Sequence, residues 1–361
     1  MKTNHWKRVC LAVRVGLVLM VLPVAAQAGP ISAFGEPYTL PETITLIPAG
    51  FGLFGGNYVV TDKGSATVDI QPVVGGAPTV LTDIGIPAPN GSGAGSGPIA
   101  GVFLPASYGH LAGDFLAVGF DPSTFVSYAI AVNAAGAQTP LVLNVGNTAF
   151  SDVAVAPAGF GSLGGEVLAT DQFGAVDVIA PDGSVSLLAR VSVASFGLGF
   201  APAGFGSVGG DLLVTDAFSG NIYAVNPAGN VSLFATVPLN SPEQTGLRQV
   251  AFAPSGFGPF AGDLFVSVSG SNNGGGIAGS VEVVNGAGAV IATMQQGALG
   301  APLDPRGLTF ANQGLLIADA DPSIILATPA AFSSVPEPAS ITLIGIGLAG
   351  VARFARRRRK V

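Results

Sequence analysis

The 361-residue chain has one cysteine and two histidines. The cysteine, Cys10, lies near the N-terminus, so the rest of the chain can form no disulfide and offers no thiolate to a metal. The histidines are His5 and His110, which leaves no Cys/His cluster for a zinc site. Basic residues are scarce and unevenly placed. Lys2, Lys7, Arg8 and Arg14 lie at the front, and Arg353, Arg356, Arg357, Arg358, Arg359 and Lys360 at the back. Between them stand only Lys63, Arg190, Arg248 and Arg306, against all 21 acids. A body this acidic argues against nucleic acid, whose affinity comes from Lys and Arg on phosphates. A P-loop, a strand-linked dinucleotide fingerprint and a Gly-x-Ser-x-Gly elbow are all missing.

What is abundant is glycine, 53 residues, with 27 prolines. Hydrophobic residues make up 49% and charged residues 10%, so the glycine and proline serve turns between short buried elements and not disorder. The body repeats. IPAGFGLFGGNYVVTD from Ile47, LPASYGHLAGDFLAVG from Leu104, APAGFGSLGGEVLATD from Ala156, APAGFGSVGGDLLVTD from Ala201 and APSGFGPFAGDLFVSV from Ala253 align. Their prolines, Pro48, Pro105, Pro157, Pro202 and Pro254, are 57, 52, 45 and 52 residues apart. A sixth unit from Arg306 keeps the flanking strands but lacks the Pro-x-Gly-Phe-Gly excursion.

Periods of this length belong to propeller blades or solenoid turns. The fourth unit decides between them. Gly197 to Ala201, Asp211 to Thr215, Asn221 to Val225 and Val231 to Ala235 are four short β-rich runs joined by Gly, Pro and Asn turns. No unit shows a helical apolar period over ten residues. The reading is an all-β chain whose body is a β-propeller of six blades, each of four antiparallel strands. The sixth unit is short after Ala327, and the segment Ile31 to Leu40 is expected to supply its outer strand and latch the ring.

Both ends read as targeting segments. A charged stretch, the apolar run Val15 to Val24 and Ala26-Gln27-Ala28 predict a signal peptide cleaved after Ala28. At the other end, Val335-Pro336-Glu337-Pro338 is extended and accessible, because neither proline can donate a backbone hydrogen bond. Ala339 to Ala352 is an apolar, helix-length stretch, and the basic tail after it would stay cytoplasmic. The expected organisation is a signal peptide over 1–28, a propeller over 29–334, and a motif, transmembrane helix and basic tail over 335–361.

This tripartite end resembles the PEP-CTERM sorting signal of Gram-negative bacteria. The resemblance implies recognition of Pro336-Glu337-Pro338 by exosortase after passage through the secretion machinery. It further implies transient anchoring in the inner membrane, removal of the helix, and delivery to the cell surface or an extracellular polysaccharide matrix. The body, in strings such as GGDLLVTDAFSGNIYAVNPAGNVSLFA from Gly209, resembles NHL-type and SMP-30-like propellers. SMP-30-like lactonases hold a divalent cation in the channel, but no ligand set maps onto this chain residue by residue.

Candidate site residues are few. His110 reads as a solvated loop histidine. Asp114, Glu166, Asp211 and Asp263, with Asn57, read as turn caps. Asp62, Asp171, Asp216 and Asp319 end second strands. Asp319 and Asp321 lie at strand spacing on one face and are the weak candidates for calcium, with no other cofactor expected. Arg248 and Arg306 occupy equivalent places before Phe252 and Phe310 and are the candidates for an anionic sugar at the channel mouth, with pairing to acids such as Asp304 as the alternative. The repeated Phe51, Phe160, Phe205 and Phe257 read as blade-packing residues. The functional expectation is an exported, non-enzymatic binding or structural protein associated with exopolysaccharide or biofilm. The other reading is a cation-dependent hydrolase or lactonase on the same fold.

Overall fold

The computed structural model describes residues 32–84, 97–146, 148–192, 194–239, 246–270, 278–294, 304–311, 314–320 and 324–327. The signal segment with Ala26 and Ala28, Asp321, and the C-terminal motif Val335 to Pro338 with its helix and tail lie outside them. Strands form where short aliphatic and β-branched runs are bounded by Gly, Pro or Asn turns. Second strands such as YVVTD (Tyr58–Asp62) and VLATD (Val167–Asp171) are buried along their whole length, because neighbouring sheets cover both faces. Fourth strands such as Val185–Arg190 are half exposed to solvent.

These strands pair into six four-stranded antiparallel sheets. In chain order, blade 1 spans 41–83, blade 2 spans 100–146, blade 3 spans 150–190, blade 4 spans 195–236, and blade 5 spans 246–294. Blade 6 is composite. Pro305–Ala311, Gly314–Asp319 and Ile324–Ala327 are its first three strands, and the N-terminal Ser32–Ala33 is its fourth. Ser32 pairs with Ala327 and Ala33 with Leu326, so the two chain ends meet in one sheet. The expected latch is therefore present, although only two residues pair. In blade 4 the third strand spans Asn221–Val225, as read from the sequence, and the other strands differ from the reading by one or two residues at their ends.

The first strand of each blade lines the axis: Pro41–Leu46, Ala100–Phe103, Phe150–Val155, Ser195–Phe200, Gly246–Phe252 and Pro305–Ala311. An apolar cluster lies between each pair of neighbouring blades, including Phe160, Leu168, Leu198 and Val214 between blades 3 and 4. The excursions close these interfaces at one end of the barrel of inner strands. Four contain a single 3-10 turn and that of blade 2 two, joined at Gly109, and the glycine after the aromatic residue has φ between +51° and +58° in all five copies. A side chain there would be strained, which is why the glycine recurs. Phe51, Phe160, Phe205 and Phe257 each pack edge-to-face on a phenylalanine at or next to the end of the next inner strand: Phe103, Phe200, Phe252 and Phe310. Between blades 2 and 3 the aromatic residue is Tyr108, whose hydroxyl donates to the Ile179 carbonyl and accepts from the Val167 amide.

Candidate functional site

At the other end of the inner strands, five of the six carry a β-bulge, at Pro41/Thr43, Phe150/Asp152, Ser195/Leu198, Leu247/Val250 and Pro305/Gly307. A bulge inserts an extra residue and re-aims its side chain. Here it directs one position of the repeat into the channel: Glu42, Ser151, Phe196, Arg248 and Arg306, joined by Ile99 of blade 2. Together with their neighbours they line an axial cavity of about 20 Å³, room for little more than a water molecule, which opens to solvent.

Hydroxyls on second strands fix this ring. Thr61 donates to the Ile99 carbonyl (3.2 Å), Thr170 to Phe196 (2.5 Å), Thr215 to Arg248 (2.7 Å) and Ser267 to Arg306 (2.9 Å). Each bond crosses to the following blade and holds the main chain of a residue that lines the cavity. Gly197 lies so close to this ladder that a Cβ would sit 2.0 Å from the Arg248 carbonyl oxygen. Glycine is required there by space and not by backbone angle.

The cavity wall is charged. Arg306 donates to Glu42 Oε1 at 2.7 Å and to Asp304 Oδ2 at 2.9 Å, and Lys63 Nζ lies 3.9 Å from the same Glu42 oxygen. Burial works against the charge on Arg306, but Glu42 and Asp304 outweigh it and hold the guanidinium above its ordinary value. Burial pushes the Lys63 ammonium down. Arg248 lies with its guanidinium carbon 4.1 Å from the Phe196 ring centroid, a cation–π arrangement. Burial, and then the like charge of Arg306, push it down to about 10. Asp152 faces the same cavity. Its carboxyl accepts from the Val153 amide (2.8 Å) and the Leu198 amide (3.0 Å), yet burial pushes it up to about 7.

The structure thus brings Arg248 and Arg306 to one cavity and gives them different surroundings. Arg306 is engaged by Asp304 and by Glu42, and Arg248 stacks on an aromatic ring. Asp319 is fully buried and its Oδ1 accepts the Asp304 amide at 2.7 Å, so it straps the entrance of its inner strand. Asp62 does the same for blade 1, whereas Asp171 and Asp216 cap the turns that follow their own strands. Asp62 accepts from Thr39, Leu40 and Gly64, Asp171 from Phe173 and Ala175, and Asp216 from Phe218. His110 is exposed in its loop.

A divalent cation needs several oxygens converging without competing positive charge. The mouth does not provide that. Glu42 and Asp304 already accept from Arg306, Asp152 from two amides, and three cationic side chains stand among them. Among the described residues no three His, Cys, Asp or Glu side chains gather to hold a metal.

Sequence reasoning did not find Glu42, Lys63 or Asp152. The signal was present in the repeat. The column four residues before Leu46, Phe103, Val155, Phe200, Phe252 and Phe310 reads Glu, Ile, Ser, Phe, Arg, Arg. Two of its arginines stood out, but the whole column lines the cavity.

The PEP-CTERM protein-sorting motif matches residues 334–360. It marks the chain for export and transient membrane anchoring, with exosortase as processing partner. No curated protein matches the sequence significantly. Solved propellers share the fold. A gluconolactonase from Xanthomonas campestris is 18% identical with a TM-score of 0.54, over 83% of this chain and 89% of that one. A calcium-binding regucalcin from Agrobacterium tumefaciens is 13% identical at 0.54, over 83% and 94%. A glucose dehydrogenase is 12% identical at 0.57, over 83% and 99%. The chain is a six-bladed, all-β propeller resembling the gluconolactonase and SMP-30 structures, carrying a PEP-CTERM sorting motif at its C-terminal end.

Proposed function

We propose that this exported propeller is a binding protein of the cell surface or its polysaccharide matrix, and that it takes an anionic group, such as a sugar carboxylate, at the channel mouth. One observation carries the reading. Three of the four cations between the two terminal basic clusters, Lys63, Arg248 and Arg306, gather at this single point of an otherwise acidic body. Scattered surface cations would serve solubility, whereas convergence on the axis serves a ligand. Arg306, paired with Glu42 and Asp304, orders the wall, and Arg248, stacked on Phe196, stands beside it to meet an anion. The cavity is too small for a sugar ring, so the ligand presents an anionic oxygen at its opening and rests the remainder on the surrounding loops.

The test is retention of the exported protein on an immobilised polyuronate against a neutral dextran, at several salt concentrations. Binding to the polyuronate alone, weakened by salt and roughly tenfold by Arg248→Ala, is expected. Equal retention on both matrices, or none, overturns it.

The second reading is a cation-dependent hydrolase or lactonase. Asp152, buried in the axial cavity and pushed up to about 7, favours it, since a general base works best near the operating pH. The commitment of the mouth carboxylates to other partners counts against it. Hydrolysis of a small aldonolactone that depends on added calcium or manganese and is lost in Asp152→Asn would replace the first reading.

A further inference from the structure

The interface between blades 6 and 1 has an apolar cluster but is left uncovered at its excursion end. At the excursion end, the inner-strand residues Phe103, Val155, Phe200, Phe252 and Phe310 are each covered by the preceding blade. The equivalent residue of blade 1 is Leu46, and the preceding blade 6 has no excursion. Leu46 is 48% exposed. Beside it lies a cavity of about 310 Å³ lined by Leu46, Tyr58, Val73, Phe252, Phe310 and Ala311. An apolar cavity of roughly half that volume accepts a benzene ring.

The chain itself holds a fitting piece. After Ala327 the sequence reads Thr328-Pro329-Ala330-Ala331-Phe332-Ser333-Ser334. Set against Ala201-Pro202-Ala203-Gly204-Phe205-Gly206-Ser207, it matches the proline, the following alanine, the phenylalanine and the final serine. It departs at Ser333, where the excursions have the glycine of positive φ, so it reproduces the Pro-x-x-Phe arm and not the turn that follows. The segment lies outside the described residues, but its point of departure is fixed. Ala327 pairs with Leu316, and Leu316 with Thr309, the neighbour of Phe310. Two strand spacings, about 10 Å, separate Ala327 from the inner strand. Five extended residues span about 16 Å.

We propose that Phe332 docks against Leu46 in this cavity and completes the sixth blade interface with a C-terminal copy of the missing arm. The ring is then closed twice at blade 6, by Ser32–Ala33 along the sheet edge and by Phe332 across the interface. The sorting motif begins at Val335, three residues on, so docking holds it against the propeller until exosortase acts, and the arm stays with the mature protein.

The body has no cysteine, so a cross-link reads the contact directly. In the exported protein, Leu46→Cys with Phe332→Cys should form an intramolecular disulfide, since docking holds the two positions together and small movements of the arm can reach the Cβ separation of about 4 Å that the bond needs. Phe332→Ala alone should lower the melting temperature by about 5 °C or more, and Phe332→Trp should restore part of it. Two free thiols under oxidising conditions, together with an unchanged melting temperature in Phe332→Ala, overturn the proposal. A disulfide between two chains also overturns it, since a second copy would then fill the cavity.

Discussion

The two ends of the inner strands follow opposite rules. At the excursion end the same arm recurs, Pro-x-Gly-Phe-Gly, and each phenylalanine meets another across the next interface at centroid distances of 4.7 to 5.1 Å. At the channel mouth the equivalent column differs in nearly every blade: Glu42, Ile99, Ser151, Phe196, Arg248, Arg306. Packing is a problem each blade must solve locally, so one solution is repeated. The ligand proposed for the axis would meet all blades at once and is asymmetric, so the residues that meet it would not be alike. Within a repeat protein, the repeating column marks what holds the ring, and the irregular column marks what it is for.

The largest expected effect breaks the regular end. Phe160 is fully buried and packs on Phe200 with centroids 4.9 Å apart. Phe160→Ala should cost about 3–5 kcal/mol, the range for a large aromatic side chain removed from a core. Denaturant unfolding of the exported protein measures it. A cost below about 1 kcal/mol would mean that the arms decorate the ring and do not hold it.

The next effect separates two arginines of one column. Arg306→Ala leaves Glu42 and Asp304 buried, with their relative exposures of 7%, and without their strongest cation. Breaking a buried pair this way costs about 3 kcal/mol or more. Arg248→Ala removes a cation stacked on Phe196 and should cost about 1–2 kcal/mol. Its expected effect falls on polyuronate binding. If both variants unfold alike and bind alike, the division of labour between them fails.

The fold was legible because its signals are local and repeated. The Gly-Phe-Gly arm, the Thr-Asp strand ends and the Asn and Gly turns each recur, so noise in one unit is corrected by the others. The mouth was half legible. Arg248 and Arg306 stood out by charge in an acidic body. Glu42 and Asp152 did not, because a buried acid in the first strand looks in sequence like any of the other 19. What distinguishes them is the bulge at their position, and a bulge is a property of pairing between strands that no single strand spells out. The threonines of VTD were likewise read only as strand residues, although Thr215 holds the carbonyl of Arg248 in the next blade.

A smaller effect concerns pH. Burial pushes Asp152 up to about 7, and Asp69 and Asp177, on third strands, up to about 6. In the unfolded chain these carboxyls lose their protons near pH 4. Between about pH 4 and 7 the folded state therefore binds protons that the unfolded state has released. Stability falls as pH rises across that window and levels off above it. Melting temperatures taken from pH 5 to 8 should decline and then flatten. Asp152→Asn should shallow the decline at its upper end, near pH 7, whereas Asp69→Asn and Asp177→Asn should do so near pH 6. A rise across the same window would mean that these carboxylates are charged in the folded protein and stabilised by the hydrogen bonds they accept.

The smallest effect lies in one loop and sharpens the comparison at close range. Tyr108 and His110 are two residues apart in the arm of blade 2. Tyr108 stands where the other arms have phenylalanine, is buried, and joins the amide of Val167 at 2.9 Å and the carbonyl of Ile179 in the next blade. Tyr108→Phe keeps the ring but leaves those two groups without its hydroxyl, so it should cost about 1–2 kcal/mol even though it restores the residue used elsewhere. His110 is exposed, and His110→Ala should change stability by less than about 0.5 kcal/mol and leave binding intact. The pair tests whether departure from the repeat is enough to mark a function. Tyr108 departs and is tied into the next blade, whereas His110 departs into solvent. A loss of binding or activity in His110→Ala would show that irregularity at the excursion end also carries function, and the rule drawn from the channel mouth would then hold for both ends of the ring.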